Sequence, residues 1–375
     1  MTGTVSFVEQ GKWMKTDWKA AFAYWFAHFA TELICFYTIC RLFENGEYWW
    51  AIAILYDVLA FFPQAVWGRI CEKHPDFRPG VTGGILMMTG AAVMLLTAGS
   101  MNGCIRIVTL MGLILLTVGN GFVHISGALA TIRVSEGRLS ESAVFVGGGS
   151  FGLIAGKLLS GADGIWAIPF VLMTAAVVIM ARTDRNIRKR KTESGIDVFD
   201  FTAFSCKHDL AADRAPALIA VVLTLVVAVR AYIGYGLPTA WNTTVVRTIF
   251  LYIFMGSGKM LGGILSDRFG ARLTGIVSCL LSVPMLLLSD NIMWLSLVGV
   301  ALFSMTIAVT LGGLVSVMPK HPGVAFGLTT IALITGSLPV FISGLPSRAV
   351  SNTLIAVMSV LAAAGLFFSL KRKNG

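Results

Sequence analysis

The stretch Gly262-Gly263-Ile264-Leu265-Ser266-Asp267-Arg268-Phe269-Gly270-Ala271-Arg272 closes an apolar run and reads glycine, three residues, acid, base. The same layout closes an earlier apolar run, in Gly68-Arg69-Ile70-Cys71-Glu72-Lys73-His74-Pro75-Asp76-Phe77-Arg78. Gly68 and Gly263 stand 195 positions apart, and so do Glu72 and Asp267. A fixed offset joining two halves of a hydrophobic chain is the mark of a duplicated membrane bundle. The earlier copy departs in two places: Glu72 replaces aspartate, and Pro75 stands where the later copy has Gly270.

Outward from these copies, apolar runs fall near 20–40, 50–70, 81–100, 105–128, 141–161 and 163–181, and again near 215–236, 245–265, 273–289, 292–316, 323–345 and 350–370. A polar stretch over 182–214 separates the two sets. The sequence predicts an all-α membrane protein of two six-helix bundles, 20–181 and 215–370, with a cytoplasmic tail at 1–19, a linker at 182–214 and a tail at 371–375. Composition agrees. Of 375 residues 56% are hydrophobic and 13% charged, with mean hydropathy +0.80, against about 25% charged in soluble domains. A span needs about 20 apolar residues, and twelve use about 240.

The net charge of +10 reads as orientation, and a nucleic-acid partner is not expected. With the N-terminus inside, 22 of the 29 Lys and Arg residues fall on the cytoplasmic side, and four (Arg41, Arg106, Arg247 and Arg348) fall outside. Lys157, Arg230 and Lys259 remain within spans. Both termini are therefore expected in the cytoplasm, with the basic block Arg182–Lys191 resting on lipid headgroups. The first residues hold Lys12, Lys15 and Lys19 without an apolar core, so the first span is expected to serve as the insertion signal.

The stretch Gly263–Arg272 resembles the cytoplasmic signature of the major facilitator superfamily. Gly119-Asn120-Gly121-Phe122-Val123-His124 and Met318-Pro319-Lys320-His321-Pro322-Gly323 more loosely resemble its fosmidomycin-resistance exporters. The resemblance implies alternating access in a cytoplasmic (inner) membrane, a monomer, and a cavity lined by spans one, four, seven and ten and flanked by two, five, eight and eleven. It also implies export rather than uptake.

Independently of that name, an ionisable side chain at membrane depth costs at least about 2.5 kcal/mol and points to function. His28 and Glu32 share one face of span one, Asp57 and Gln64 one face of span two, and Asn120 and His124 one face of span four. Lys157 lies in span five, Arg230 and Tyr235 in span seven, Lys259 in span eight at 195 from Gln64. Glu32 and Asp57 against Lys157, Arg230 and Lys259 leaves one cation over, which suits an anionic small molecule or amphiphile. Arg230, Lys157, His124, Asn120, Tyr235, Gln64 and Lys259 are thus expected to meet the substrate. Glu32, Asp57 and His28 are expected to carry protons, or else simply to neutralise the cations. Asp267, Arg268, Arg272, Glu72 and Lys73 are expected to gate the cytoplasmic side, the acids capping a neighbouring helix or pairing with a base. Gly148, Gly152 and Gly156 predict close helix packing in span five.

No nucleophile elbow is present, and no His, Glu and Cys grouping has metal-motif spacing. Gly256-Ser257-Gly258-Lys259 lacks the first glycine and the final Ser/Thr of a phosphate loop. The expectation is a gradient-driven transporter with neither cofactor nor metal, partnered by its substrate, protons and membrane lipids. A uniporter or anion exchanger, a lipid flippase and a non-transporting membrane sensor stay open as alternatives.

Overall fold

The computed structural model describes residues 17–98, 103–135, 137–193, 211–212, 215–237, 239–289, 292–344 and 346–372. Lys12, Lys15, most of the linker and Lys373 lie outside the described residues. Among the described residues eleven helices are long and apolar enough to cross a membrane. They are Trp18–Phe43, Trp49–Lys73, Pro79–Thr97, Gly103–Ser135, Ser140–Ser160, Ala167–Lys189, Pro216–Tyr235, Val245–Phe269, Met293–Val317, Pro322–Ser343 and Arg348–Ser369. These are spans one to eight and ten to twelve. Span nine, Ala271–Leu287, has 17 residues and carries Pro284 inside it. An even number of crossings puts Trp18 and Ser369 at the same face of the molecule, the terminal end.

Local chemistry explains the departures from the expected boundaries. Span two breaks into Trp49–Phe61 and Gln64–Lys73 because Pro63 has no N–H to continue the ladder. Span four runs on to Ser135, so Arg133 is helical rather than in the loop expected there. The sixth helix extends to Glu193, so the start of the expected linker is a continuation of span six. Asp17 opens span one by accepting from the Ala20 N–H at 3.0 Å.

The two signature copies turn differently, for the reason their sequences give. Spans eight and nine are joined by Gly270 alone, at φ +96°, a backbone conformation that glycine adopts without strain. The earlier copy has no glycine there and spends His74–Arg78 on the same reversal.

Many hydroxyl side chains on the spans are satisfied within their own helices. Thr31, Thr38, Thr117, Thr131 and Ser266 each donate to the carbonyl four residues back, as a hydrocarbon setting demands. Large apolar side chains such as Leu96, Ile107, Met111, Val171 and Leu225 face outward, the surface a lipid-embedded protein presents. The glycine series of span five does what its spacing predicts. A Cβ at Gly148, Gly152 or Gly156 would run into the backbone of Trp25, Phe29 or Leu33 on span one.

Candidate functional site

The terminal end is sealed by two carboxylates, each from one half and each capping a helix of the other. Asp267, at the end of span eight, accepts from the Leu139 and Ser140 N–H groups at 2.7 and 2.9 Å and from the Ser140 hydroxyl. These groups open span five, whose first N–H groups have no helical partner. Glu72, at the end of span two, accepts from the Gly323 N–H at 2.7 Å and from the Val324 N–H at 3.4 Å. These open span eleven. Each acid thus meets both orphan donors and the positive end of a helix dipole. The motif glycines permit the approach: a Cβ at Gly68 would overlap the Gly323 backbone, and one at Gly263 would overlap Leu139 and Ala143.

Of the five gating residues expected, only Glu72 and Asp267 make these bonds. Lys73 is exposed, Arg268 lies over the neighbouring Phe269 ring, and Arg272 lies 3.8 Å over Phe367 within its own half. Two residues the sequence did not single out for the seal join it. His321 Nδ1 is 3.2 Å from Glu72 and 2.8 Å from Arg69, and Arg69 is 3.5 Å from Glu72.

Deeper in the N-terminal half, spans one and four bring together His28, Glu32, Asn120 and His124, all buried. His124 Nε2 is 3.4 Å from Glu32 Oε1 and His28 Nε2 3.8 Å from it. The Asn120 amide donates to Glu32 at 3.3 Å and to the Tyr56 hydroxyl at 2.9 Å. The far ring nitrogens are committed: His28 Nδ1 to the Phe145 carbonyl at 2.9 Å, His124 Nδ1 to the Asn120 carbonyl at 3.0 Å. Asp57 is half-buried on span two, with no hydrogen bond or ion pair among the described residues. It lies within electrostatic reach of Glu32 and Tyr235. Gln64 is fully buried and donates to the Ala60 carbonyl of the preceding segment of span two, across the break at Pro63.

The C-terminal half holds the cations. Arg230 is buried and donates to the Thr306 hydroxyl at 3.4 Å, with Phe303 5.9 Å from its guanidinium. No carboxylate pairs with it among the described residues. Lys259, the repeat partner of Gln64, crosses between the halves to the Ser150 hydroxyl at 2.8 Å. It lies within electrostatic reach of Arg230 and Glu32. Tyr235 is 45% exposed and packs edge-on against Phe341, away from Arg230's contacts.

Lys157 corrects the charge count. Its ammonium pairs with Glu44 at 2.7 Å, and beside it Arg41 pairs with Asp163 at 2.5 Å. Both pairs lie away from the terminal end, tying the end of span one to span five and to the loop that follows it. Lys157 thus has a carboxylate partner of its own, and Glu44, a loop residue left out of the sequence count, takes the cation that count left over. Glu32 and Asp57 now balance Arg230 and Lys259. The charges are nevertheless separated: both acids stand in one half and both cations in the other.

No family model matches the chain, and no curated protein matches it. Solved structures do. A variant of the E. coli fucose:proton symporter FucP superposes with TM-score 0.60 at 14% identity, over 93% of this chain and 97% of that one. The human organic anion transporter MFSD10 (TETRAN) gives 0.61 at 14%, over 93% and 98%. A double-tryptophan mutant of XylE gives 0.66 at 13%, over 95% and 96%. The chain has the fold of major facilitator superfamily transporters.

Proposed function

We propose that this protein is a secondary transporter that carries a small organic anion or amphiphile across the membrane by alternating access, driven by protons. The observation that carries the reading is the crossed pair of carboxylate caps. A seal made of a few charge-assisted hydrogen bonds between rigid halves can break and reform, which a merely structural interface would not need. Arg230 and Lys259 are the anion's contacts, since each is a cation at membrane depth that forms no ion pair among the described residues. Asp57 is the proton carrier: a carboxyl group with no partner among the described residues changes charge without breaking a structural pair. The terminal end faces the cytoplasm, on the 22-to-4 distribution of basic residues. The working unit is a monomer in the cell (inner) membrane. Export is the expected direction, on the loose resemblance of span four and the start of span eleven alone. The descriptions of two fold neighbours, one a proton symporter and one an organic anion transporter, are compatible with this chemistry.

Purified protein is first screened by thermal shift against carboxylates, sugar acids, phosphonates and anionic antibiotics, because a bound ligand raises apparent stability. Hits are then tested in proteoliposomes holding a trapped pH dye. The expected result is proton movement that starts on adding the anion, with Asp57→Asn losing pH-driven accumulation but keeping anion counterflow. Anion movement without proton flux would turn the reading into a uniporter or exchanger; no movement of any stabilising anion would remove transport altogether.

A further inference from the structure

The hydrogen bonding of the two buried histidines fixes where their lone pairs point. A backbone carbonyl only accepts, so His28 Nδ1 and His124 Nδ1 carry the hydrogens they give to Phe145 and Asn120. In the neutral rings both Nε2 atoms are then bare, and both face Glu32 Oε1. One ligand atom from each of the three residues lies within 4.8 Å of the other two. Two lone pairs and a carboxylate oxygen, pressed together out of water, repel unless a positive centre sits between them. One shared proton answers only one of the two nitrogens. A dication answers all three atoms.

We propose that His28, Glu32 and His124 form a binding site for a divalent transition-metal ion of the zinc, cobalt or nickel kind. Ligand bonds of about 2.1 Å, at angles between square and tetrahedral, hold neighbouring donor atoms about 3.0–3.4 Å apart. The His124–Glu32 distance of 3.4 Å already fits, and the 3.8 Å to His28 needs a few tenths of an ångström. Two imidazoles and one carboxylate select such ions over magnesium or calcium, which prefer oxygen ligands throughout. The outer support is in place as well. Nδ1–H bonds to carbonyls orient both rings, and Asn120 holds the carboxylate. Asn120 Oδ1 is itself buried without a hydrogen-bond partner among the described residues. Span five leaves room for the ligands: a Cβ at Gly149 would collide with the His28 ring, and one at Gly152 with the Glu32 Cβ.

The site also sits where the halves meet. Phe61 and Phe145 wall it from its own half, and Phe326 of span eleven lies against His124 from the other half, 6.4 Å between ring centres. Rocking the halves apart draws Phe326 away, which gives the ion a path in. Lys259, the like charge nearby, is tied to Ser150.

The proposal is independent of the anion reading, and its test uses the full chain, purified without an affinity tag and stripped of metal. Cobalt(II) is titrated in, and the visible d–d absorption and the metal content after gel filtration are read. One cobalt per chain is expected, displaced by zinc and not by magnesium, without the charge-transfer band of a thiolate ligand. Glu32→Gln and His124→Gln should abolish the spectrum. Asn120→Ala, which keeps all three ligands, should weaken binding about 10-fold. Should the ligand variants fail to fold, the native chain decides: no saturable cobalt band, more than one equivalent without a distinct tight site, or a thiolate spectrum overturns the proposal. So does a band that both ligand variants retain. A chain that binds cobalt here yet moves no anion refutes the transport reading and leaves the site standing. One that moves an anion but ignores cobalt does the reverse.

Discussion

Removing both caps, Glu72→Ala with Asp267→Ala, should throw the terminal end open and stop transport while the two bundles stay folded. Hydrogen bonds to a charged partner contribute about 1.5–3 kcal/mol each. Asp267 accepts three and Glu72 two from the opposing half, along with the favourable dipole of each capped helix. Allowing only one such bond's worth per acid gives about 3–6 kcal/mol for the pair, or roughly 10²–10⁴ in the closed-to-open ratio. A single cysteine at Ala143, which packs beneath Gly263, reports it. Its maleimide labelling should rise by one to two orders of magnitude in the double variant and less in either single one. Labelling that stays at the native level would mean that glycine packing alone closes this end. The acids would then be ornaments of the seal.

Arg230→Met should weaken anion binding by roughly 30-fold or more and leave the protein as stable as before, or more so. A guanidinium buried against Thr306 and Phe303 carries a desolvation cost that no carboxylate among the described residues offsets. Replacing such a group by an apolar one of similar reach is neutral or stabilising. Were Arg230 half of a structural ion pair, its loss would cost about 3–5 kcal/mol instead. Loss of the contact to a buried anion should cost about 2–5 kcal/mol of binding, roughly 30- to 5,000-fold in affinity. The readouts are the melting temperature without ligand and the shift an anion produces. A large fall in the first with the second unchanged would make Arg230 a structural residue.

The duplicated bundle was legible because hydropathy and a 195-residue offset are one-dimensional signals. The acids of the seal were legible for the same reason, standing at equal places in both copies. What they hold was not. The N–H groups of Leu139 and Gly323 lie 128 and 251 positions away, and nothing along the chain marks them as partners. Charge counting failed at Lys157 because its partner Glu44 follows the helix that ends at Phe43 and returns from a loop that hydropathy ignores. The histidine–glutamate cluster was half visible. The four-residue spacings of His28 with Glu32 and of Asn120 with His124 gave one face on each helix, but their meeting depends on how spans one and four pack. A search for metal motifs along one segment passes over donors split between two.

Alternating access is the claim on which the rest stands, and spin-label distances across the two ends test it most directly. One label pair replaces Asp76 and Lys320, exposed at the terminal end in opposite halves; the other replaces Glu47 and Ser347 at the far end. Alternating access gives two populations, the terminal pair near while the far pair is apart and the reverse, with the balance moved by a transported anion and by the Glu72/Asp267 double variant. One unchanging distance at each end, indifferent to anion and to caps, would contradict it.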